Sequence, residues 1–257
     1  MTPVKSEKRK IIVSIEARMT SSRLPGKVLL DLGGRPALEQ MITRIRQSKC
    51  IDDIVVATTI NPSDDAIVQL CEKLGCHYFR GDEHDVLLRV LRAAQKFNAT
   101  HVVGLTGDCP LIDPGHIDQV VEYFFANDFD YVTNRLSDEG LPAGFDVQIY
   151  KVADLAKIET LTKDPTDRVH VTCYFYNHPA QFKIGVLSPK KHDLEYWPEL
   201  AVTLDEPSDY LLLKEIFAAD GGKGAAFSAK EIISYLKAHP QLVKINQEVR
   251  RKQLHEG

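Results

Sequence analysis

No stretch of this 257-residue sequence approaches the roughly 18–20 consecutive apolar residues that a membrane-spanning helix requires. Met1 to Lys10 is polar and charged, with no hydrophobic signal-peptide core behind it. Together these absences predict a cytoplasmic protein with no membrane partner. The cysteines are few and odd in number (Cys50, Cys71, Cys76, Cys109 and Cys173), and none forms a C-x-x-C pair. A disulfide framework or a zinc site needs paired or clustered thiols, so these read as reduced side chains in a cytoplasmic setting. Internal repeats and low-complexity tracts are absent. So is any excess of basic charge: 32 Lys and Arg face 36 Asp and Glu, a formal net charge of −4. That balance argues against a dedicated nucleic-acid binder or a basic membrane-surface protein. Neither G-x-x-x-x-G-K-[ST] nor G-x-G-x-x-G occurs, which excludes a Walker A loop and a dinucleotide fingerprint.

What is present is an ordinary globular composition, 44% hydrophobic and 26% charged. A chain of this length buries roughly 70–75% of the surface it exposes when unfolded. Charge placement says more than the sum. Residues 1–27 hold seven cations (Lys5, Lys8, Arg9, Lys10, Arg18, Arg23, Lys27) against Glu7 and Glu16, a local +5 that leaves −9 on the remainder. An electropositive island on an acidic protein marks the place for an anionic ligand.

Apolar, β-branched runs recur at Ile11–Ile15, Ile54–Thr59, His77–Phe79, His101–Leu105 and Tyr131–Thr133. Helical periodicity fills the intervals at Ala37–Arg46, Asp65–Leu74, Val86–Phe97 and Ile117–Phe125. Strands alternating with helices predict βαβ units and a mainly parallel sheet. After Asn134 the rhythm changes. Gly144–Tyr150 and Gln181–Leu187 read as strands of an extra sheet, with a helix over Thr166–Asn177 between them. Ala201–Leu204 reads as a buried strand before a helix from Pro207 to about Ala219. Gly221, Gly222 and Gly224 then break the chain ahead of a last helix, Ser228–Ala238, and a charged tail.

The first strand empties into Ala17-Arg-Met-Thr-Ser-Ser-Arg-Leu-Pro-Gly-Lys27. Open parallel sheets bind ligands beyond the carboxyl ends of their strands, where this loop lies. It offers Arg18, Arg23 and Lys27 without an acid, the hydroxyls of Thr20, Ser21 and Ser22, and Gly26 for close backbone approach. A polyphosphate suits that set, Arg as a planar fork and Lys as a point charge. A solvated loop with scattered cations is the plainer alternative. The fourth strand ends in Gly104-Leu-Thr-Gly-Asp-Cys-Pro-Leu111, and Val202-Thr-Leu-Asp-Glu-Pro-Ser-Asp209 repeats the arrangement. Taken singly, Asp108 is a routine turn residue and Asp205 a routine helix cap. As a pair at two strand ends they suit Mg²⁺, which takes one or two carboxylates and completes its shell with phosphate and water.

The motifs A-R-M-x-S-S-R-L-P-G-K, I-V-V-A-T-T (Ile54–Thr59), F-R-G-D-E-x-D-V-L (Phe79–Leu87), T-G-D-C-P-L-I-D (Thr106–Asp113) and T-L-D-E-P-x-D (Thr203–Asp209) resemble the cytidylyltransferases that activate acidic sugars. The resemblance runs over about 10–217 and is strongest to the branch called spore coat polysaccharide biosynthesis protein F. It extends to CMP-Kdo synthetases and acylneuraminate cytidylyltransferases. It implies an α/β, Rossmann-like nucleotidyltransferase fold akin to nucleotide-diphosphosugar transferases, a mixed and mainly parallel sheet flanked by helices. That domain would occupy 1–220, with about 135–200 holding an acceptor-side insertion through which a homodimer forms, and 221–257 a C-terminal helical extension. It also implies CTP and Mg²⁺. By position, Ala17, Arg18, Ser21, Ser22, Arg23 and Lys27 match the triphosphate loop, and Asp108 and Asp205 match the metal-binding aspartates. Arg80, Gly81 and Asp85 match the segment that lies against cytosine and ribose.

Two matches depart from the branch: Pro142-Ala143-Gly144-Phe145-Asp146 lacks an Arg, and Arg168-Val169-His170-Val171-Thr172 lacks a Glu. Asp146, Arg168 and His170 are kept, and with Arg135 they form the expected acceptor side. The expected activity is CMP transfer from CTP to a nonulosonic or Kdo-like sugar, or to a phosphate-bearing small molecule, with Arg18, Lys27, Asp108 and Asp205 at the reacting phosphate. Two rivals stand beside it. A glycosyltransferase using a nucleotide sugar shares the fold but places its acids in a short D-x-D, which G-D-C-P is not. A non-catalytic nucleotide-binding scaffold would have no need of every phosphate and metal position.

Overall fold

The computed structural model describes residues 9–136, 140–219, 221 and 227–250. Lys5 and Lys8 of the basic tail, Gly222, Gly224 and residues 251–257 lie outside the described residues. β1 (Ile11–Glu16), β2 (Asp53–Thr59), β3 (His77–Gly81), β4 (His101–Thr106), β5 (Tyr131–Thr133), β6 (Gln148–Lys151) and β7 (Ile184–Val186) form one seven-stranded sheet. Its spatial order is β3-β2-β1-β4-β6-β5-β7. The first four strands are parallel, β6 runs antiparallel to both β4 and β5, and β7 is parallel to β5. The segments expected to build an extra sheet therefore prolong the main one. Gly104, opposite Gln148 in the register, is one reason: a Cβ there would come within 3.3 Å of the Gln148 and Tyr150 side chains. The missing side chain lets β6 close on β4.

Alternate residues of β1 feed opposite faces, as a strand's period of two demands. Ile11, Val13 and Ile15 pack with α1 (Ala37–Ile45), α2 (Asp65–Leu74) and α4 (Pro114–Ala126). Ile12 packs on the other face with α3 (Val86–Lys96) and α5 (Val152–Leu161). The expected helix over Thr166–Asn177 is instead two short ones, α6 (Pro165–Val169) and α7 (Cys173–Asn177). Between them His170 leaves helical geometry (φ −105°, ψ 86°) and the Thr172 hydroxyl donates to Gln148 Oε1 at 2.8 Å. The expected strand Ala201–Leu204 makes a single bridge, Ala143 to Ala201, rather than a ladder. Its apolar residues are buried by side-chain packing around the end of the sheet.

That packing is a third core. Phe145, Leu200, Val202 and Leu204 meet α8 (Pro207–Ala219) and Ala229, Ile232, Ile233 and Leu236 of α9 (Ala229–Ala238). Ser228 and Glu231 form a reciprocal capping box at the start of α9, and a short α10 (Pro240–Val243) follows. The C-terminal extension thus shares a core with the segment that carries Asp205. No helix among the described residues is long and apolar enough to cross a membrane.

Candidate active site

The loop leaving β1 is held by its own backbone. Gly26 sits in the left-handed region (φ 70°) and donates its N–H to Met19 O at 2.9 Å. Met19 N–H in turn donates to Asp64 Oδ1 at 2.8 Å, a buried carboxylate that also accepts from Thr58 and Thr59. This anchors the loop to the end of β2. Folded this way, the loop lines a cleft of about 280 Å³ with Ala17, Arg18, Ser21, Ser22, Arg23 and Lys27. Asp108, Asp205 and His170 line the same cleft.

Three cations meet acids around it. Lys27 Nζ lies 2.8 Å from Asp108 Oδ2 and 3.0 Å from Asp205 Oδ1. Arg23 reaches Asp205 Oδ1 at 3.1 Å and Glu206 Oε1 at 3.2 Å. Arg18 pairs with Glu83 at 3.2 Å. Burial alone would raise the Asp108 carboxyl, but the charge and hydrogen bond of Lys27 outweigh it and hold the group well below the usual range. Burial would likewise lower Lys27, and the two aspartates reverse that and raise it. The two results agree on an ionised Asp108 beside a charged Lys27.

The aspartates come together by backbone contacts between their loops. Gly107 N–H donates to Glu16 O at 2.8 Å, and a Cβ on Gly107 would lie 3.0 Å from that same oxygen. Leu204 N–H donates to Asp108 O at 2.8 Å, which brings the Asp205 segment beside β4. Among the described residues no group of three or more His, Cys, Asp or Glu is placed to hold a metal. Two carboxylates converging on one positive charge do suit a hard cation whose other ligands are phosphate oxygens and water.

The remaining expected residues divide. His170 lines the cleft. Arg80 is absent from its lining and donates to Thr59 O and Asn61 O at 2.8 Å and pairs with Asp65 at 2.6 Å. Gly81 makes room for Arg89, whose Cγ would be 2.9 Å from a Cβ at that position. Asp85 caps α3 through Leu88 N–H and forms an ion pair with Arg168, which Glu159 also holds at 3.3 Å. Arg135 and Asp146 pair at 3.4 Å, and Arg135 lines a second cavity with Ala143, Glu199 and Asn246. Burial raises the Asp146 carboxyl, against the pull of Arg135.

Sequence reasoning missed Glu16 and Arg89, which line the cleft. Burial pushes the Glu16 carboxyl up to about 7, with Arg89 opposing and Asp108 reinforcing the shift. Arg89 is 3% exposed and donates to Asp82 O and Glu83 O. A signal existed: Arg89 interrupts the apolar face Val86, Leu87, Val90 and Leu91 of α3, and a buried charge is seldom idle.

Residues 12–249 match the family model described as Cytidylyltransferase. The spore coat polysaccharide biosynthesis protein SpsF of Bacillus subtilis (strain 168) is 33% identical over 235 residues, 90% of this chain and 95% of the relative. A cytidylyltransferase from Leptospira borgpetersenii serovar Hardjo-bovis (strain JB197) superposes with a TM-score of 0.85 at 30% identity, over 96% of this chain and 100% of that one. CMP:2-keto-3-deoxy-manno-octonic acid synthetase, solved in complex with CTP, shares the fold at a TM-score of 0.63 and 18% identity, over 82% and 99% of the two chains.

Proposed function

The chain belongs to the cytidylyltransferase family, and from that premise we propose that it transfers CMP from CTP to an acidic sugar of nonulosonic or Kdo-like kind. The product would supply surface polysaccharide or glycan synthesis, as the name of the Bacillus relative suggests for that protein. The observation that carries the reading is the convergence of Arg18, Arg23 and Lys27 with Asp108 and Asp205 in one cleft at the carboxyl ends of β1 and β4.

In the reaction the acceptor hydroxyl oxygen attacks the α-phosphorus, and the bond from that phosphorus to the bridging oxygen breaks. Pyrophosphate leaves with the electron pair, and the hydroxyl proton passes to solvent. Such a transfer asks the protein mainly for positioning and charge neutralisation. Lys27 and Arg18 flank the α-phosphate, and Arg23 holds the β- and γ-phosphates. Ser21 and Ser22 donate to phosphate oxygens. Arg23 and Lys27 exchange carboxylate partners for phosphate, so their charge stays compensated throughout. Asp108 and Asp205 are the residues that would hold a divalent cation, Mg²⁺ by the hardness of the pair, and it would supply further charge neutralisation at the phosphates. The acceptor enters beside His170, at the break between α6 and α7. Arg168, Arg135 and Asp146 are assigned to the acceptor side as its further polar groups.

A homodimer through the 135–200 region belongs to the same reading, and Leu136, Val186 and Leu194 are exposed there. Five free thiols suit a cytoplasmic setting. The test is a pyrophosphate-release screen of the four nucleoside triphosphates against a panel of sugar acids and phosphorylated polyols. Release with CTP and a sugar acid is the expected result. Release only with a phosphorylated polyol would move the acceptor class, and turnover of a nucleotide sugar without pyrophosphate would replace the reading with glycosyl transfer.

A further inference from the structure

The C-terminal segment, to which the proposed reaction assigns no part, reaches both aspartate-bearing loops. Asn246, beyond α10, is 5% exposed, and its Nδ2 donates to Ala201 O at 3.0 Å and to Asp209 Oδ1 at 2.8 Å. Asp209, in the first turn of α8, is fully buried. Its other oxygen, Oδ2, accepts from the backbone N–H of Asp205 at 3.0 Å and of Glu206 at 2.9 Å. Those are the two residues whose carboxylates hold Arg23, and Asp205 also holds Lys27. A continuous run of hydrogen bonds therefore leads from the end of the chain to the cleft.

The other loop is tied as well. Asp113, at the end of the Thr106–Asp113 motif, accepts from Gly115 N–H at 2.7 Å and from Ala229 N–H, the first residue of α9, at 2.6 Å. Buried Arg44 donates to Ile112 O at 2.8 Å and to Phe227 O at 2.7 Å. The extension thus braces both loops, and on the Asp205 side the Asn246 amide adds a polar tie to the apolar packing of α9.

We propose that Asn246 is a positioning residue: it fixes Asp209, and through Asp209 the backbone that sets Asp205 and Glu206 against Arg23 and Lys27. The inference rests on the reading of Asp205 as a functional carboxylate. Asn246 itself touches no reactant. The order of the links matters, because Asp209 has one oxygen for the active-site backbone and the other for the extension. Turning the amide into a carboxylate would set two acids against each other in a buried place and push Asp209 off the two N–H groups.

The test uses the full chain and compares Asn246→Asp, the exchange Asn246→Asp with Asp209→Asn, and Asp205→Ala. Asn246→Asp should lower kcat by about 10–100-fold, the usual effect of losing a partner that orients a functional group, with little change in KM for CTP. Hydrogen exchange at the amides of Asp205 and Glu206 should quicken while β1 and β4 keep their protection. The exchanged pair restores an amide facing a carboxylate and should recover kcat by at least about threefold, the size of coupling that contacting residues show, and slow the exchange again. Wild-type kcat and wild-type exchange in Asn246→Asp, beside an impaired Asp205→Ala, would overturn the inference and leave the reading of Asp205 standing. An unimpaired Asp205→Ala would remove that reading, and the inference with it. Faster exchange throughout the sheet, with no recovery in the exchanged pair, would reduce Asn246 to a folding contact. Should Asn246→Asp fail to fold, Asn246→Ala is judged by the same kinetics and exchange.

Discussion

Each of the three cations of the loop after β1 meets a carboxylate, and the three pairings differ in how far the acid is committed. Arg18 and Glu83 form a part-exposed pair, of a kind worth little on its own. Lys27 sits between two aspartates and is 13% exposed in its side chain, so it is the better-fixed charge. Arg23 bridges Asp205 and Glu206 at the mouth. Removing an arginine that binds phosphate equally in ground and transition states weakens binding without slowing chemistry. Arg23→Ala should therefore raise KM for CTP by about tenfold or more, given roughly 1.5–3 kcal/mol for a hydrogen bond to a charged group. Asp205→Ala should instead lower kcat by roughly 10²-fold, and steady-state kinetics separate the two outcomes. Glu16 adds a pH signature. Its carboxyl is raised to about 7 in the fold from an ordinary value of 4.5, chiefly by burial. The native state then binds more protons than the unfolded chain between those values, so stability falls as pH rises through that window and stays lower above it. Glu16→Gln removes the titration. The variant should match wild type near pH 4.5 and exceed its Tm at pH 8, by on the order of 2–4 °C for each roughly 1 kcal/mol relieved. Parallel Tm curves for the two proteins would show that Glu16 ionises without strain.

At the scale of elements, the turn that brings the insertion onto the Asp205 segment depends on Gly144. Its φ of 108° is a conformation L side chains rarely adopt, and a Cβ would come within 2.9 Å of the Val202 carbonyl carbon. Gly75, which ends α2 at φ 59°, has nothing within 4 Å of the same position. Gly75→Ala should then cost only the left-handed strain, about 1 kcal/mol, and Gly144→Ala should cost more, up to about 3 kcal/mol. Thermal unfolding of the two variants orders them, and an equal loss would mean that the Val202 backbone yields freely. The same turn shows where the sequence was legible. Helices with clear ends, α2, α8 and α9, fall within a residue or two of where the sequence puts them. Ala201–Leu204 is as apolar as a strand, but its hydrogen bonds go to Ala143 and Asp108, singly, from a segment crossing the end of the sheet. Thr166–Asn177 carries a helical period, and the tie between Thr172 and Gln148 breaks it. Both misreadings come from partners far along the chain, which a local pattern does not contain. The cleft was legible for a similar reason in reverse. Arg18, Arg23 and Lys27 lie in one loop, and Asp108 and Asp205 each follow an apolar run, so local spacing was enough to nominate them. Arg89 left a trace in the apolar face of α3, but its place beside Glu16 in the cleft became visible only when α3 was laid against the end of β1.

On the scale of the whole molecule, the alternation of strands and helices announced a parallel α/β sheet, yet put the strands of the insertion in an extra sheet and set the C-terminal helix apart as an extension. In the structure both are continuous with the rest: β6 and β7 widen the one sheet, and α9 fills a core that begins with Phe145 and Leu200. The extension therefore shares one core with the segment that carries Asp205. Leu204, Leu212, Leu213, Ile216 and Phe217 are at most 1% exposed, and α9 is among the elements that cover them. Burying one such side chain is worth about 1.5–3 kcal/mol, while a whole domain has only about 5–15 kcal/mol to lose. Exposing all five would cost an amount on the scale of that whole margin. A chain ending at Gly221 also loses Asn246 and the contacts of Ala229 and Phe227 with the Asp113 loop. It should accumulate as insoluble protein or, if recovered, unfold without a cooperative thermal transition, which circular dichroism and calorimetry would show. A soluble truncated chain that melts cooperatively and still binds CTP would mean that the first 221 residues close their own core, and that the third cluster is packing added to a domain already complete.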